Sequence, residues 1–310
     1  MESNAAIVDL EKLGMEIKKD CCLAQYSNTK TGGNVDVVIF PHSLEQLKVS
    51  IQLLKQLSTP VVVLGDMTNV AIASKNLNFN VICMSHFVNE PIFDAQNGIL
   101  TVTAGYKMKQ LSRWALNHSI SGLQWMEGIP GTVGAGVFMN AGYLAGQEFQ
   151  DIVIDTQVLM PDLSVQTLSN KDLNYSYRHS SIQGNKGIVL STRLLVRVGK
   201  KWKIRAKMAQ YHKRRAKNQP LNLPSAGTVF VPPTPYHVGG MLPELGIIGY
   251  RIGGAEISPK SPGFIVGVDH MTGEDYYEMV RFIQRAVKEK YNIELEPEVR
   301  LLGFNDDKTE

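Results

Sequence analysis

Three short stretches of this 310-residue chain hold the side chains best suited to chemistry. In "LNYSYRHSS" an arginine, Arg178, stands among aromatic and hydroxyl-bearing residues. A guanidinium so placed can be held rigidly and can stabilise negative charge, although a lone arginine is also a common structural tie. In "PSAGTVFVPP" the hydroxyl of Thr228 directly follows Gly227 in a tight turn. Small neighbours admit a substrate, so this hydroxyl suits a proton donor; the plain alternative is a turn hydroxyl bonded to local backbone. In "ELEPEVRLLG" Glu298 reads as one carboxylate in an otherwise apolar strand. Such a group must find a partner or shift its pKa. His118 and His179 read as structural, because no HxH, HExxH or His/Cys pair accompanies them, and no metal is expected. The three cysteines make neither a disulfide framework nor a zinc pattern, and Cys83, in an apolar run, reads as a core residue rather than a nucleophile.

Three other stretches offer bare backbone. "TGGNVD" (Thr31 to Asp36) contains Gly32 and Gly33, and "LGDMTNV" (Leu64 to Val70) contains Gly65, Thr68 and Asn69. "GIPGTVGAGVFMNAGY" (Gly128 to Tyr143) has five glycines and no lysine, arginine or acid. Glycine clusters serve close backbone approach or unusual backbone angles, and small-residue turns after strands turn several N–H groups toward an anion. Neither GxGxxG in the dinucleotide-fold arrangement nor GxxxxGK[ST] is present. Singly, each stretch is as well explained by a tight turn. Together, one dinucleotide spread between two domains would account for all of them.

The elements that must position these residues follow from periodicity. Residues 4–20 carry Ala6, Leu10, Leu13 and Ile17 at helical spacing. "VDVVIFP", the helix begun by Ser43, and "TPVVVLG" read as strand–helix–strand. Ser43 and Gln46 are placed to cap that helix, and the β-branched run in the last strand predicts burial on both faces. From about residue 78, "NVICM", "GILTVTAG", "DIVIDTQVLM" and "GIVLSTRLLVRV" read as strands, with "KMKQLSRWALNHS" as a helix between them. The basic run beginning at Lys200 reads as the solvated face of a helix. A long helix from about Gly273 to Lys290 has Thr272 as N-cap and Asp275 completing a capping box. This divides the chain into three parts, 1–75, 76–203 and 204–310.

Composition narrows the class. A 44% hydrophobic content over 310 residues supports a sizeable core and more than one domain. A net charge of only +3 gives no sign of a nucleic-acid or membrane partner. No stretch approaches a membrane span, the opening residues do not read as a signal peptide, and unpaired cysteines fit a reducing compartment. The expectation is a cytoplasmic protein.

The same residues, in this order, resemble the UDP-N-acetylenolpyruvoylglucosamine reductase family from about Tyr26 to Gly303. The resemblance is strongest in "GIPGTVGAGVFMNAG", "YSYRHSSIQ", "GYRIGGAEIS" and "LEPEVRLLG". It is to the shorter form, without an extra tyrosine-bearing loop. The resemblance implies an α+β fold: a vanillyl-alcohol-oxidase/PCMH-type FAD-binding domain in two parts, 1–75 and 76–203, then an α/β substrate-binding domain, 204–310. It implies non-covalent FAD and NADPH as hydride donor. It also implies a UDP-sugar substrate reduced for peptidoglycan precursor synthesis, by a monomer or weak homodimer. The proton donor, serine in the family, would be Thr228, with Arg178 and Glu298 beside it. The cofactor would lie along Gly32, Gly33, Gly65, Thr68, Asn69, Gly128, Ile129, Pro130, Gly131, Gly134, Asn140, Ala141 and Gly142.

The chain departs from the family at several places. Asp66 and Met67 interrupt the first glycine loop, where a carboxylate roughly 4 Å from a phosphate would cost about 4 kcal/mol at an effective dielectric near 20. Threonine replaces serine at 228. "FVPP" replaces a basic residue and an asparagine after Phe230, and Pro259, Ser261 and Gly267 stand where Glu, His and Asn are common. Two alternatives therefore stand beside the reductase: an FAD-binding paralogue with another substrate, and a non-catalytic flavin-binding protein.

Overall fold

The structure is a computed structural model and describes residues 14–56, 59–143, 146–234 and 236–304. Two compact units emerge. The first contains residues 14–18, Val37–Asp66 and Phe79–Arg214, and the second Lys19–Asp36, Met67–Asn78 and residues 215–304.

The opening third forms β1 (Glu16–Cys22), β2 (Asn34–Phe40), α1 (Leu44–Gln56), β3 (Val61–Leu64), β4 (Val70–Ile72) and β5 (Asn80–Cys83). Their sheet runs β1-β2-β5-β3, with β2, β5 and β3 parallel, as a strand–helix–strand unit requires. Ser43 Oγ accepts the Gln46 N–H at 3.2 Å, and Gln46 Oε1 accepts the His42 N–H at 2.8 Å. Two expectations are corrected. Much of the helix expected over 4–20 falls on residues 4–13, outside the described residues, but Glu16 to Asp20 are strand. A place beside β2 in the sheet satisfies their backbone and overrides helical spacing. Val61, Val62 and Val63 are half-buried rather than covered on both faces, because β3 is the sheet's edge; β5, inside the sheet, is the wholly buried strand.

The middle of the chain forms β6 (Ile92–Asp94), β7 (Ile99–Thr103), α2 (Met108–Asn117), β8 (Ile120–Ser121), α3 (Val133–Phe138), β9 (Val153–Leu159), β10 (Val165–Ser169), α4 (Ile182–Asn185), β11 (Ile188–Leu195) and β12 (Arg197–Val198). An antiparallel sheet runs β10-β9-β11-β7-β6. The short helix α3 packs on β7 and β11, and Leu100, Val102, Val133, Val137, Phe149 and Leu194 are buried in the first unit's core.

The last third forms α5 (Lys201–Asn218), β13 (Ser225–Thr228), α6 (Val238–Glu244), β14 (Arg251–Ile252), β15 (Ala255–Ile257), β16 (Phe264–Gly267), α7 (Gly273–Tyr291) and β17 (Arg300–Leu302). Along α5, Ile204, Met208 and Tyr211 are buried and most of the lysines and arginines are exposed, the solvated basic face expected. In the second unit an antiparallel sheet runs β13-β16-β15-β14, and β17 pairs in parallel with β4. Helix α7 packs on β14, β15 and β4, around a core containing Phe230, Ile257, Ile265, Tyr276 and Ile283. Its capping box is complete: Thr272 Oγ1 accepts the Asp275 N–H at 3.0 Å, and Asp275 Oδ2 accepts the Thr272 N–H at 2.9 Å. Among the described residues no helix is long and apolar enough to cross a membrane.

Candidate active site

The glycine-rich stretch of the first unit is held by its own chain. Gly131 has φ +101°, open to glycine and strained for other residues. Thr132 then caps α3, its Oγ1 accepting the Ala135 N–H at 3.4 Å. A Cβ on Gly134 would lie 2.7 Å from that of Ala104, and one on Gly65 would lie 2.7 Å from Thr132 Oγ1. These glycines therefore let the end of β3 close on the Thr132 side chain and the start of α3 close on the turn after β7. Gly32 and Gly33, in the second unit, do the same against residues 23–24 and 74–75.

Two places in these stretches leave backbone donors free. Among the described residues, none of the N–H groups from Gly65 to Asn69 donates to an acceptor in the chain, and Met67, at φ +49°, is left-handed. A left-handed residue in such a run makes a concave set of donors that suits an anion. The N–H groups of Gly131 and Thr132 are likewise without an acceptor among the described residues. Asp66 does not present a bare carboxylate here, since Lys107 Nζ lies 2.8 Å from its Oδ1. The penalty feared from the sequence is met by a lysine that spacing gave no reason to notice. Cys83 is buried and donates to the Gly65 carbonyl at 3.3 Å; burial pushes its thiol up, so it is a packing residue.

Arg178 sits in a two-residue turn whose ends, Ser176 and His179, exchange both backbone hydrogen bonds. Its φ of +54° is uncommon for a long side chain. The surroundings hold it there: Nη1 donates to the Asn140 carbonyl at 3.3 Å and to Glu148 Oε1 at 3.2 Å, and the guanidinium lies 4.6 Å from the Tyr177 ring centroid. The rest of "YSYRHSSIQ" fastens the turn. Ser180 Oγ and Gln183 Nε2 both donate to the Phe138 carbonyl, at 2.7 and 3.0 Å, and Gln183 also reaches the Arg178 carbonyl at 3.1 Å. Asn140, fully buried at φ +44°, donates to the Ser176 carbonyl at 2.9 Å. Glu148, Ser180 and Gln183 hold the Arg178 turn, a role that sequence reasoning missed; only the last two lay in a quoted motif.

In the second unit the remaining residues meet through backbone. Thr228 ends β13 after a bulge, with Gly227 at φ +85°, and it is exposed. Bulges re-aim side chains in this way beside active sites. The N–H of Glu298 donates to the Val229 carbonyl at 2.8 Å, and Asn69 Nδ2 donates to the Glu298 carbonyl at 3.1 Å. Asn69, Thr228 and Glu298 are thus brought together. Glu298 is half-buried and stands just before β17, not within a strand as read from the sequence. Arg178 belongs to the first unit.

Two family models match this arrangement. An FAD binding domain covers residues 35–169, and the C-terminal domain of UDP-N-acetylenolpyruvoylglucosamine reductase covers 219–302. Over 292 residues the chain is 37% identical to the UDP-N-acetylenolpyruvoylglucosamine reductase of Limosilactobacillus reuteri, spanning 94% of this chain and 97% of the relative. The chain belongs to the UDP-N-acetylenolpyruvoylglucosamine reductase family. The Lactiplantibacillus plantarum reductase is also 37% identical, over 93% of this chain and 94% of its own. The crystal structure of the enzyme from Thermus caldophilus superposes with a TM-score of 0.78 at 28% identity, covering 93% of this chain and 99% of that one. The FAD-binding model spans Gly65 to Gly142, the reductase model spans Thr228 and Glu298, and Arg178 lies between them.

The residues present fit FAD. Within the first unit, the free donors of Gly65 and Asp66 and of Gly131 and Thr132 suit a diphosphate, and Lys107 balances the Asp66 carboxylate.

Proposed function

We propose that this flavoenzyme reduces UDP-N-acetylglucosamine enolpyruvate to UDP-N-acetylmuramate, in peptidoglycan precursor synthesis, through the residues assigned above. Non-covalent FAD, held by the free donors of the first unit, would supply hydride transfer from NADPH to the enolpyruvyl double bond. The chain's own residues supply the rest. Hydride addition to that double bond leaves enolate charge, and Arg178 is assigned to stabilise it. Its fixed turn and its ties to Asn140 and Glu148 mean that little reorganisation is needed at the moment of reaction. Thr228 is assigned as the proton donor, and Glu298 as its neighbouring carboxylate.

The observation that supports the assignment of Thr228 and Glu298 is a pair of hydrogen bonds, from the Glu298 N–H to the Val229 carbonyl next to Thr228 and from Asn69 Nδ2 to the Glu298 carbonyl. We assign residues 1–75 and 76–203 to FAD and 204–310 to substrate. We place the enzyme in the cytoplasm, as a monomer or weak homodimer; three free cysteines support a reducing compartment.

A second reading keeps the flavin and changes the oxidant. Val231 spends its N–H on the Glu296 carbonyl at 2.9 Å, and neither it nor Pro232 carries a side-chain donor for the UDP moiety. Stopped-flow absorbance separates the readings. The FAD-loaded protein is reduced anaerobically by NADPH, then mixed with UDP-N-acetylglucosamine enolpyruvate. Rapid reoxidation is expected; a flavin that reduces but ignores this compound would transfer the assignment to another substrate.

A further inference from the structure

Glu16, His42 and His86 converge in the first unit from separate elements: the start of β1, the turn between β2 and α1, and the short helical turn Met84–His86 after β5. Glu16 Oε2 lies 2.9 Å from His86 Nδ1 and 3.9 Å from His42 Nε2, and one potential ligand atom from each residue falls within 4.8 Å of the others. The nearby cation Lys18 stands 4.0 Å from the other carboxylate oxygen, Oε1, which leaves Oε2 to the imidazoles. The His86 ring is held from behind, stacked on the buried Phe40 ring with centroids 4.7 Å apart. His42 is fixed through its backbone, whose N–H donates to Gln46 Oε1 at 2.8 Å, and its ring lies 5.6 Å from that of His86. A support such as Phe40 orients a ligand before its ion arrives.

A hydrogen bond explains the His86–Glu16 pair, but not why a second imidazole is held at 3.9 Å from the same oxygen. A shared ion does. Zinc bonds of about 2.0–2.2 Å in a tetrahedron place neighbouring ligand atoms about 3.4 Å apart, between the 2.9 and 3.9 Å observed. Two nitrogens and a carboxylate oxygen suit zinc and its transition-metal neighbours; magnesium and calcium prefer oxygen alone. All three side chains are partly exposed, so water can complete the shell. We propose that Glu16, His42 and His86 bind one divalent transition-metal ion of the zinc class. The ion ties β1 to the β2–α1 turn and to the end of β5. Spacing could not reveal this set, since Glu16 and His86 are 70 positions apart.

The test is calorimetric titration of chelator-treated, FAD-loaded protein with Zn²⁺. One equivalent is expected to bind and to raise the melting temperature, with no heat from Mg²⁺. H42A and H86A should each weaken binding by at least about tenfold, while circular dichroism and flavin absorbance stay unchanged. No Zn²⁺ heat at micromolar concentrations would overturn the proposal, as would an unchanged titration in the H42A/H86A double variant. If those variants do not fold, the wild-type Co²⁺ spectrum decides. Intense tetrahedral bands without thiolate charge transfer support the site; weak octahedral bands, or a thiolate band from a cysteine site, reject it.

Discussion

Thr228, Arg178 and Lys107 pose different questions at the scale of single residues. If Thr228 gives the proton, Thr228→Ala should leave flavin reduction by NADPH intact while slowing reoxidation by substrate about 10²–10⁴-fold. Equal loss in both half-reactions, measured by stopped flow, would remove it from that role. Thr228→Ser keeps the hydroxyl, frees a rotamer, and should sustain turnover or raise it. Lys107 is read through the cofactor instead. Lys107→Ala strands Asp66 beside the free donors of its loop, so FAD affinity should drop several-fold; the pair is partly exposed, which keeps the effect modest. Asp66→Asn added to that variant should recover most of the loss in a flavin-release titration. If Lys107→Ala releases FAD no faster than wild type, the pair has no bearing on the cofactor. Arg178, Thr228 and Glu298 could be picked from the sequence because their motifs surround them. Lys107 and Glu148 could not, because each acquires its role only by meeting a residue distant in the chain.

At the scale of elements, α7 offers the clearest energetics. Its capping box was readable from Thr272 and Asp275 alone, since a cap is settled within one turn. Thr272→Ala should cost about 1 kcal/mol in denaturant unfolding. The same helix fully buries Tyr276, whose hydroxyl finds no partner among the described residues and is pushed far up by burial. Tyr276→Phe removes an unsatisfied polar atom, so it should be neutral or stabilising by up to about 1 kcal/mol. A clear loss of stability in urea would mean that the hydroxyl is satisfied after all. Asp94, at the end of β6, and the turn residues Asp162 and Asp172 sit below their ordinary range, because nearby side-chain and backbone donors favour the carboxylate. Their folded pKa values are depressed, so what they contribute is present above about pH 4 and lost as the pH falls below it. By contrast β1, read as helix, shows where local periodicity yields to a sheet.

For the molecule as a whole, the two units differ in how far apart their partners lie in sequence. Most of the first unit's strands were foreseeable because each carries its own apolar pattern, although β7 finds its partner β11 far along the chain, Thr103 opposite Ser191. The joining of β4 to β17 was not, because nothing in "VAI" or "RLL" names the other. Leu302→Ala, at a buried position of β17, should cost about 2–5 kcal/mol and speed hydrogen exchange at Val70 to Ile72. Protection of those amides unchanged from wild type would mean that β4 stands without its partner. This pairing also has a consequence during synthesis. Asn69 waits for Glu298, 229 positions later, which at about 5–20 residues per second is roughly 10–45 s of translation. Throughout that interval the apolar Ala71 and Ile72, wholly buried in the finished protein, have no β17 to pair with. The nascent chain thus carries an unmated strand on the ribosome until its closing segment emerges, and there a holdase chaperone has the most to protect.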